Sequence, residues 1–191
     1  GNHPTNLPTW LVADVIDQDK PHAVPAMETR PVWCTIEVPR DIEAGEYTTA
    51  LEVVNEAGDV VKSLALTIVV DSHSLPEVKD QKFHLDFWQN PYSVARYHNV
   101  APFSKEHFDL MRPVMKRYAD AGGKVITTSI MHKPWNGQTY DPFESMVTWM
   151  KKADGTWWFD YTVFDKWVEF MMSCGVTKEI NCYSMVPWRL S

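Results

Sequence analysis

Two residues near the middle of the sequence combine a carboxylate with an indole. Asp86 and Trp88 lie two positions apart in the segment FHLDFWQNP, residues 83–91. The alternation of this segment predicts a short β-strand, and side chains two apart in a strand project from the same face. A carboxylate on a buried face costs free energy unless a ligand hydroxyl or a basic side chain satisfies it. We therefore expect a ligand site at the carboxyl end of this strand, where α/β folds usually hold their sites.

The same segment also permits a metal site. His84 and Asp86 form an H-x-D pattern on the predicted strand, and His132 ends the next strand along the chain. Imidazole and carboxylate groups are common zinc ligands, so these three residues would suit a metal-dependent hydrolase. Because their spacing is a weak match to known metal patterns, we predict that no metal is bound and that His132 donates a hydrogen bond to a ligand.

Other candidate ligand-binding residues follow the ends of three predicted strands. Each of these strands is followed by a tryptophan, namely Trp88, Trp135 and Trp188. Polar side chains that suit hydroxyl binding by position and type are Gln89, Asn90, Tyr140, Tyr183 and Ser184. The remaining tryptophans after residue 78 are interpreted as structural, namely Trp149, Trp157, Trp158 and Trp167. His98 and His107 are expected at the surface.

Composition limits the classes of function. The chain of 191 residues carries a net charge of -7, which argues against a nucleic-acid partner. No apolar run approaches the roughly 20 residues that span a bilayer, so we expect no transmembrane segment. The 3 cysteines are too few for a disulfide framework, and we expect them to be buried packing residues.

Charge and tryptophan content both change near residue 78. Residues 1–78 hold 13 acidic and 4 basic residues, whereas residues 79–191 hold 12 and 14 and contain seven of the nine tryptophans. We therefore predict a domain boundary at this point. The first domain, residues 1–78, contains β-rich runs separated by turn residues, which favours a small β-sandwich. These runs cover residues 10–20, 32–38, 48–54 and 60–70.

From residue 83 onward, strand and helix patterns alternate. The predicted elements lie at residues 83–88, 104–121, 124–131, 161–174 and 179–185. This order predicts parallel βαβ units with right-handed crossovers. Ser104 is a candidate helix N-cap and Gly175 a helix stop. Pro113 is expected to kink the first helix or to mark a later start.

A long insertion separates the second predicted strand from the second predicted helix, and only three parallel strands are predicted in all. Residues 133–160 separate the second strand from the second helix, and the turn signal at residues 153–155 predicts a hairpin within them. Insertions of this length usually serve function. Because three parallel strands with two helices do not close a barrel and would leave an edge strand exposed, we expect the chain to be a fragment of a longer protein.

Several motifs in a fixed order carry a resemblance to a known family. They are LDFWQNP (85–91), VITTSI followed by HKPW (125–135), FDYTVFDKWVE (159–169) and YSMVPW (183–188). Together they resemble the beginning of the catalytic barrel of glycoside hydrolase family 123 and its bacterial relatives. The earlier segment VPRDIEAGEYTTALEV (38–53) is similar to the β-sandwich that precedes that barrel.

The resemblance implies an exo-acting β-N-acetylgalactosaminidase on a (β/α)₈ barrel, with no cofactor. It implies that residues 79–191 are the first three strands of an incomplete (β/α)₈ TIM barrel. It implies a retaining mechanism in which the substrate's 2-acetamido group is the nucleophile, an Asp polarises that group and an adjacent Glu is the acid and base. No Asp-Glu dipeptide occurs in this sequence, so the pair matches no residue here and we expect the chain alone to be inactive. The expected substrate-binding residues are Asp86, Trp88, Gln89, His132, Trp135, Tyr183, Ser184 and Trp188, with the indoles stacking on sugar rings.

An alternative to the hydrolase is a protein that binds glycans without catalysing their hydrolysis. A non-catalytic carbohydrate-binding or scaffold protein would retain the aromatic residues and lack the acid pair. Bacterial relatives of this kind imply a periplasmic, secreted or cell-surface location. A partial barrel would also expose apolar surface, so self-association is a further expectation.

Overall fold

The computed structural model describes residues 22–186 and 188. The chain divides into two compact units, the first ending at Leu75 and the second beginning at Pro76. None of the helices in these residues is long and apolar enough to cross a membrane.

The first unit contains one antiparallel hairpin. Strand β1, Gly45–Val54, pairs with β2, Val60–Val70, so that Gly45 lies opposite Val70 and Leu51 opposite Leu64. Asn55 closes the turn, because its backbone N–H donates to Asp59 O at 2.9 Å and its side-chain oxygen accepts from Asp59 N at 2.9 Å. The two runs predicted at 48–54 and 60–70 are therefore strands of one hairpin.

The strand predicted at residues 32–38 is wrong. This segment has no regular secondary structure, and the side chains of Val32 and Trp33 are exposed. Pro31 and Pro39 flank it, and no described strand pairs with it, so its alternating pattern has no sheet to join. The strand predicted at residues 10–20 lies outside the described residues. The described part of this unit contains a two-stranded sheet, so the predicted β-sandwich is not confirmed.

The second unit mixes helices and strands. Its helices are α1, Pro91–His98, α2, Lys105–Asp120, and α3, Thr162–Cys174. Its strands are β3, Val125–Ser129, β4, Thr148–Lys151, β5, Trp157–Asp160, and β6, Glu179–Tyr183. Strand β3 pairs in parallel with β6 from Val125↔Glu179 to Ser129↔Tyr183, and Leu85 forms one parallel bridge to Gly123. Three parallel segments thus lie side by side, and the described residues form no closed barrel.

Side-chain caps fix where the helices start. Asn90 caps α1 by accepting from Ser93 N at 3.3 Å, and Pro91 occupies the first turn. Ser104 caps α2 by accepting from His107 N at 3.2 Å, which confirms the predicted N-cap. Pro113 lies inside α2 and does not mark a later start. Gly175 ends α3 in the left-handed conformation, as predicted.

The core lies between the helices and one face of the parallel sheet. Met111 and Met115 of α2, Ile126 of β3 and Trp167 and Met171 of α3 are buried together, and Leu85 packs against them. Because strand side chains alternate, the residues next to Leu85 and Ile126 project from the opposite face of the sheet. That opposite face carries Asp86 and Thr127.

The first parallel segment is less regular than predicted. Only Leu85 pairs with the neighbouring strand, and Phe83 and Phe87 are 72% and 66% exposed. The backbone groups that a longer strand would meet on β3 are occupied by a side chain: Gln89 Oε1 accepts from Thr127 N at 2.8 Å and Gln89 Nε2 donates to Val125 O at 3.2 Å. The side-chain amide therefore takes the place of strand backbone at this position.

Two expectations about burial also fail. His107 is fully buried, because its imidazole lies under the loop before α2: Phe103 N donates to Nδ1 at 2.9 Å and Nε2 bonds Pro91 O at 2.9 Å. Of the cysteines, Cys174 is buried in the core, whereas Cys34 and Cys182 are exposed.

The insertion after β3 is pinned at its neck and carries the predicted hairpin. Met146 N donates to Ser129 O at 2.7 Å, and Lys133 N donates to Phe143 O at 2.8 Å. Strands β4 and β5 then pair antiparallel around a turn in which Gly155 has φ of 87°. The insertion therefore starts and returns at the carboxyl end of β3.

Candidate functional site

Three aromatic side chains meet at the carboxyl ends of the parallel segments. Trp88 follows the first segment, Trp135 follows β3 and Tyr183 ends β6. Their ring centroids are separated by 5.2 Å (Trp88 to Trp135), 5.1 Å (Trp88 to Tyr183) and 4.8 Å (Trp135 to Tyr183). We call these three residues the aromatic cluster. The structure brings together side chains that the sequence spreads over 96 positions, because parallel strands end at the same edge of a sheet.

The members of the aromatic cluster differ in exposure. Trp135 is buried, and Phe143 packs against it with a centroid separation of 4.5 Å. Trp88 is 49% exposed, so a large part of its indole faces solvent. Trp188 is also half exposed, and its backbone N–H donates to Pro134 O at 2.9 Å, which holds it beside the residue that precedes Trp135. Trp88 is thus the cluster member with the most surface available for a ligand.

A polar group lies on the same face of the sheet. Asn181 Nδ2 donates to Asp86 Oδ2 at 3.4 Å, and Asn181 is the partner of Thr127 in the parallel ladder. Burial raises the pKa of Tyr183, and the Asp86 carboxylate raises that pKa further, while contacts with the Trp88 and Asn181 side chains lower it. The Tyr183 hydroxyl therefore stays protonated at neutral pH and can donate a hydrogen bond.

Two atoms of this polar group have no partner within the described residues. Asp86 Oδ1 and Thr127 Oγ1 are both buried and lack a hydrogen bond, as does the indole nitrogen of Trp135. Buried polar groups in folded proteins are nearly always paired, so each such atom needs an explanation. Within the described residues, Asp86 forms no ion pair, and its Oδ2 accepts from the Asn181 amide.

Gln89 lies next to this face but is fully engaged in the sheet. Its amide is buried and bonds Phe87 O, Val125 O and Thr127 N. It positions the segment that carries Asp86 and Trp88, and its hydrogen-bonding groups point at backbone.

His132 lies at the end of β3 with a carboxylate partner. Its Nδ1 bonds Glu144 Oε2 at 2.7 Å, and both side chains are more than half exposed. Glu144 is held in turn by its backbone oxygen, which accepts from Ser129 Oγ at 2.6 Å and from Tyr92 OH at 2.8 Å. Burial raises the pKa of Tyr92 to about 12, so this hydroxyl remains a donor. The carboxylate leaves Nε2 of His132 directed away from Glu144.

The other polar candidates have local partners. Ser184 Oγ donates to Val186 O at 2.6 Å. Asn90 caps α1, and Tyr140 is exposed beneath the guanidinium of Arg96, which lies 5.0 Å from the ring centroid. Arg96 also bonds Asp141 Oδ1 at 2.6 Å and so lowers the pKa of that carboxyl group.

The metal interpretation finds no support in the geometry. Among residues 22–186 and 188, no three His, Cys, Asp or Glu side chains are grouped so that they could hold a metal ion. Asp86 contacts Asn181 and His132 contacts Glu144, so the structure does not assemble His84, Asp86 and His132 into one site.

A cavity of about 590 Å³ lies at the other end of the sheet. It is lined by residues that precede β3 and β6 and by the C-terminal ends of α2 and α3, and four of the lining residues are lysines, namely Lys79, Lys116, Lys124 and Lys178. Two of these lysines have local partners, because Lys116 forms an ion pair with Asp120 and Lys124 Nζ donates to Gln81 O. The candidate site therefore remains at the carboxyl edge.

Sequence reasoning missed four residues of this edge, namely Thr127, Asn181, Phe143 and Glu144. Asn181 was detectable, because it precedes Tyr183 by two positions on an alternating strand. Phe143 and Glu144 lie in an irregular loop, and no local sequence pattern predicts that Phe143 packs against Trp135 or that Glu144 bonds His132.

Comparisons with known proteins converge on one family. The family model described as the catalytic domain of glycoside hydrolase 123 matches residues 88–191, and the model described as the glycoside hydrolase 123 N-terminal domain matches residues 1–55. A solved structure of a family 123 glycoside hydrolase from Clostridium perfringens, reported in a study of glycolipid glycan hydrolysis, is 34% identical with a TM-score of 0.71. The match covers 80% of this chain and 28% of the other. A comparison with curated proteins finds no match.

Proposed function

Because this chain belongs to glycoside hydrolase family 123, we propose that it forms part of an enzyme that hydrolyses β-linked N-acetylhexosamine, with N-acetylgalactosamine preferred. The chain spans 28% of the length of the similar C. perfringens enzyme, which is described as acting on glycolipid glycans. We propose that the whole protein folds as a β-sandwich followed by a (β/α)₈ barrel, to which the three parallel segments belong.

The aromatic cluster is the observation that carries this proposal. Three rings within 5.2 Å of one another lie on the same face as a polar group, at the edge of a parallel sheet where ligands of α/β folds bind. An indole presents a flat apolar face to the C–H groups of a sugar ring, while the neighbouring carboxylate, amide and phenol serve its hydroxyl groups. A mixed apolar and polar site of this kind suits a carbohydrate.

The residues of this chain are proposed to bind and orient the substrate. Trp88 and Trp188 offer half-exposed indoles for stacking, Trp135 backs the cluster, and Tyr183 donates a hydrogen bond. Asp86 and Ser184 accept hydrogen bonds from sugar hydroxyl groups, and His132 presents Nε2. Gln89 contributes by holding the segment that bears Trp88.

Catalysis is proposed to follow the substrate-assisted retaining route. The 2-acetamido oxygen of the substrate attacks its own anomeric carbon as the leaving oxygen takes a proton from a carboxylic acid, and water then opens the oxazolinium intermediate with overall retention. The Asp-Glu pair that this route uses is absent from the present sequence, so we place it in another part of the protein.

Substitution of Trp88 tests the proposal. We expect Trp88→Ala in the protein that contains this chain to lower kcat/KM for a chromogenic β-N-acetylgalactosaminide about tenfold, because the stacking surface is lost. Trp157→Ala is the matched control, since Trp157 is equally exposed but lies on the hairpin of the insertion. Equal kinetics for both variants and the parent would contradict the assignment of the aromatic cluster as a sugar site.

A carbohydrate-binding protein without catalysis is the second candidate, because the aromatic cluster alone would serve to bind a sugar. Binding of N-acetylgalactosamine by the parent protein without hydrolysis of the chromogenic substrate would select it. Export to the periplasm or cell surface, and self-association through exposed apolar residues such as Phe83, Phe87 and Trp188, are parts of the proposal.

A further inference from the structure

Two residues outside the predicted site, Thr127 and Asn181, lie beside Asp86. Leu85 and Ile126 face the helices, so Asp86 and Thr127 both project from the opposite face of the sheet. Asn181 is opposite Thr127 in the parallel ladder, and paired residues of parallel strands share a face. The Asn181 amide also donates to Asp86 Oδ2. The side chains of Thr127 and Asp86 are thus both neighbours of Asn181.

This trio contains an acceptor and a donor that the described residues leave unused. Asp86 Oδ1 accepts hydrogen bonds, and Thr127 Oγ1 carries a proton that it can donate; both atoms are buried and without a partner. A hydroxyl group both donates and accepts one hydrogen bond. Placed beside Asn181, it would donate to Asp86 Oδ1 and accept from Thr127 Oγ1, and so satisfy both atoms together.

The threonine that follows on the same strand shows how unusual Thr127 is. Thr128 projects toward the helix side of the sheet, and its Oγ1 donates to Asn181 O at 3.0 Å. Thr128 is therefore a buried threonine with a paired hydroxyl, whereas Thr127 is a buried threonine whose hydroxyl is unpaired. Leaving a buried hydroxyl unpaired is costly, and an apolar isostere would avoid the cost.

We propose that Thr127, Asn181 and Asp86 form a hydroxyl-binding site that recognises one hydroxyl group of the sugar held by the aromatic cluster. This inference rests on the proposed function, since it takes a sugar as the ligand. The Asn181–Asp86 contact of 3.4 Å is long for a hydrogen bond, so the carboxylate can shift at little cost to admit a sugar hydroxyl at Oδ1 while Asn181 stays beside Oδ2. Asn181 then orients the carboxylate, and Thr127 and Asp86 contact the sugar.

A pair of isosteric variants tests the site. The affinity of the 191-residue chain for N-acetylgalactosamine, galactose, N-acetylglucosamine and glucose is measured by tryptophan fluorescence, and thermal unfolding is measured without ligand. We expect Thr127→Val to weaken sugar binding about tenfold while the unfolding temperature stays equal or rises. Thr128→Val should show the reverse pattern, with a lower unfolding temperature and unchanged affinity. Thr127→Ser, which keeps the hydroxyl, should retain binding and serves if the valine variant folds poorly.

Each outcome assigns the result to the inference or to the function. Weakened binding of N-acetylgalactosamine by Thr127→Val supports both. If the parent binds another of the sugars but not N-acetylgalactosamine, and Thr127→Val binds that sugar more weakly, the hydroxyl-binding site is supported and the proposed substrate is rejected. If a sugar binds Thr127→Val as tightly as it binds the parent, the inference is overturned and the proposed function stands. If a fixed water instead pairs with Thr127 Oγ1 and Asp86 Oδ1, sugar affinity should be unchanged and the unfolding temperature of Thr127→Val should be lower. Binding of none of the four sugars overturns both.

Discussion

Gln89 offers the sharpest test of how the site is held in place. Its side chain is buried and bonds the backbone of β3 at Thr127 N and Val125 O, where a strand would normally supply a peptide group. We expect Gln89→Met, which keeps the length of the side chain and removes its polar groups, to destabilise the protein by about 2 kcal/mol. If Gln89 instead bound the substrate, this substitution would change affinity with little effect on stability.

The magnitude follows from which backbone groups lose a partner. Thr127 N–H loses the acceptor at 2.8 Å, and an unsatisfied buried donor costs about 1–3 kcal/mol. Val125 O keeps a second donor, Tyr118 OH at 3.1 Å, and so adds little. The expected loss therefore comes mainly from one amide group.

Gln89→Glu adds a pH dependence with a defined sign. The introduced carboxyl can still accept from Thr127 N, but its second oxygen faces the carbonyl oxygens of Phe87 and Val125, which can only accept. Burial beside these acceptors raises the pKa of the carboxyl in the folded state, because only the protonated form can donate. The folded protein then binds more protons than the unfolded chain, so stability is retained below about pH 4.3 and falls as pH rises above it, at about 1.4 kcal/mol per pH unit.

The assay is urea unfolding of the variants between pH 4 and pH 7. Gln138 provides the matched control, since it is exposed in the loop after Trp135. Gln138→Met and Gln138→Glu should change stability by no more than about 0.5 kcal/mol at either pH. A Gln89→Met variant as stable as the parent, or a Gln89→Glu variant that gains stability toward pH 7, would refute the role given to this side chain.

Two further predictions concern the support of the sheet. Gly123→Ala should lower the free energy of unfolding by roughly 3 kcal/mol in urea, because the added carbon would lie 2.4 Å from the ring of Tyr118, whose hydroxyl donates to Leu85 O and Val125 O. Gly137→Ala is the control and should be neutral, since a Cβ at this position would meet no atom within 4 Å. Burial lowers the pKa of His107 from 6.5, so the unfolded chain binds more protons and the free energy of unfolding should decrease as pH falls below about 6.5. His107→Gln should flatten that part of the pH profile, and an unchanged slope would count against the buried neutral imidazole.

Regular helices and the meeting of strand ends were predictable from sequence. Ser104 and Gly175 mark helix ends through local hydrogen bonding and backbone conformation, and such signals do not depend on distant residues. Helix α1 was missed because it has only eight residues, although Asn90 followed by Pro91 is a readable start signal. Trp88, Trp135 and Tyr183 were expected to lie near one another because each follows or ends a parallel strand.

Predictions that needed a partner strand or a loop contact failed. Residues 32–38 alternate as a strand should, but alternation cannot show whether a neighbouring strand exists. Phe83 and Phe87 are exposed, and the Gln89 side chain bonds the β3 backbone that a longer strand would meet; no local pattern reveals either feature. The burial of His107 depends on Phe103 N from the preceding loop and on Pro91 O from the first turn of α1.

The parallel pairing of β3 with β6 sets the order in which this unit can fold. Val125 and Glu179 are partners although 54 positions separate them, whereas Lys151 and Trp157 of the hairpin are 6 positions apart. Closing the longer loop costs roughly 2 kcal/mol more chain entropy, since that cost grows with the logarithm of loop length. The hairpin and the helices can therefore form before the strands that carry Thr127 and Asn181 come together, and the hydroxyl-binding site is completed in the slowest step.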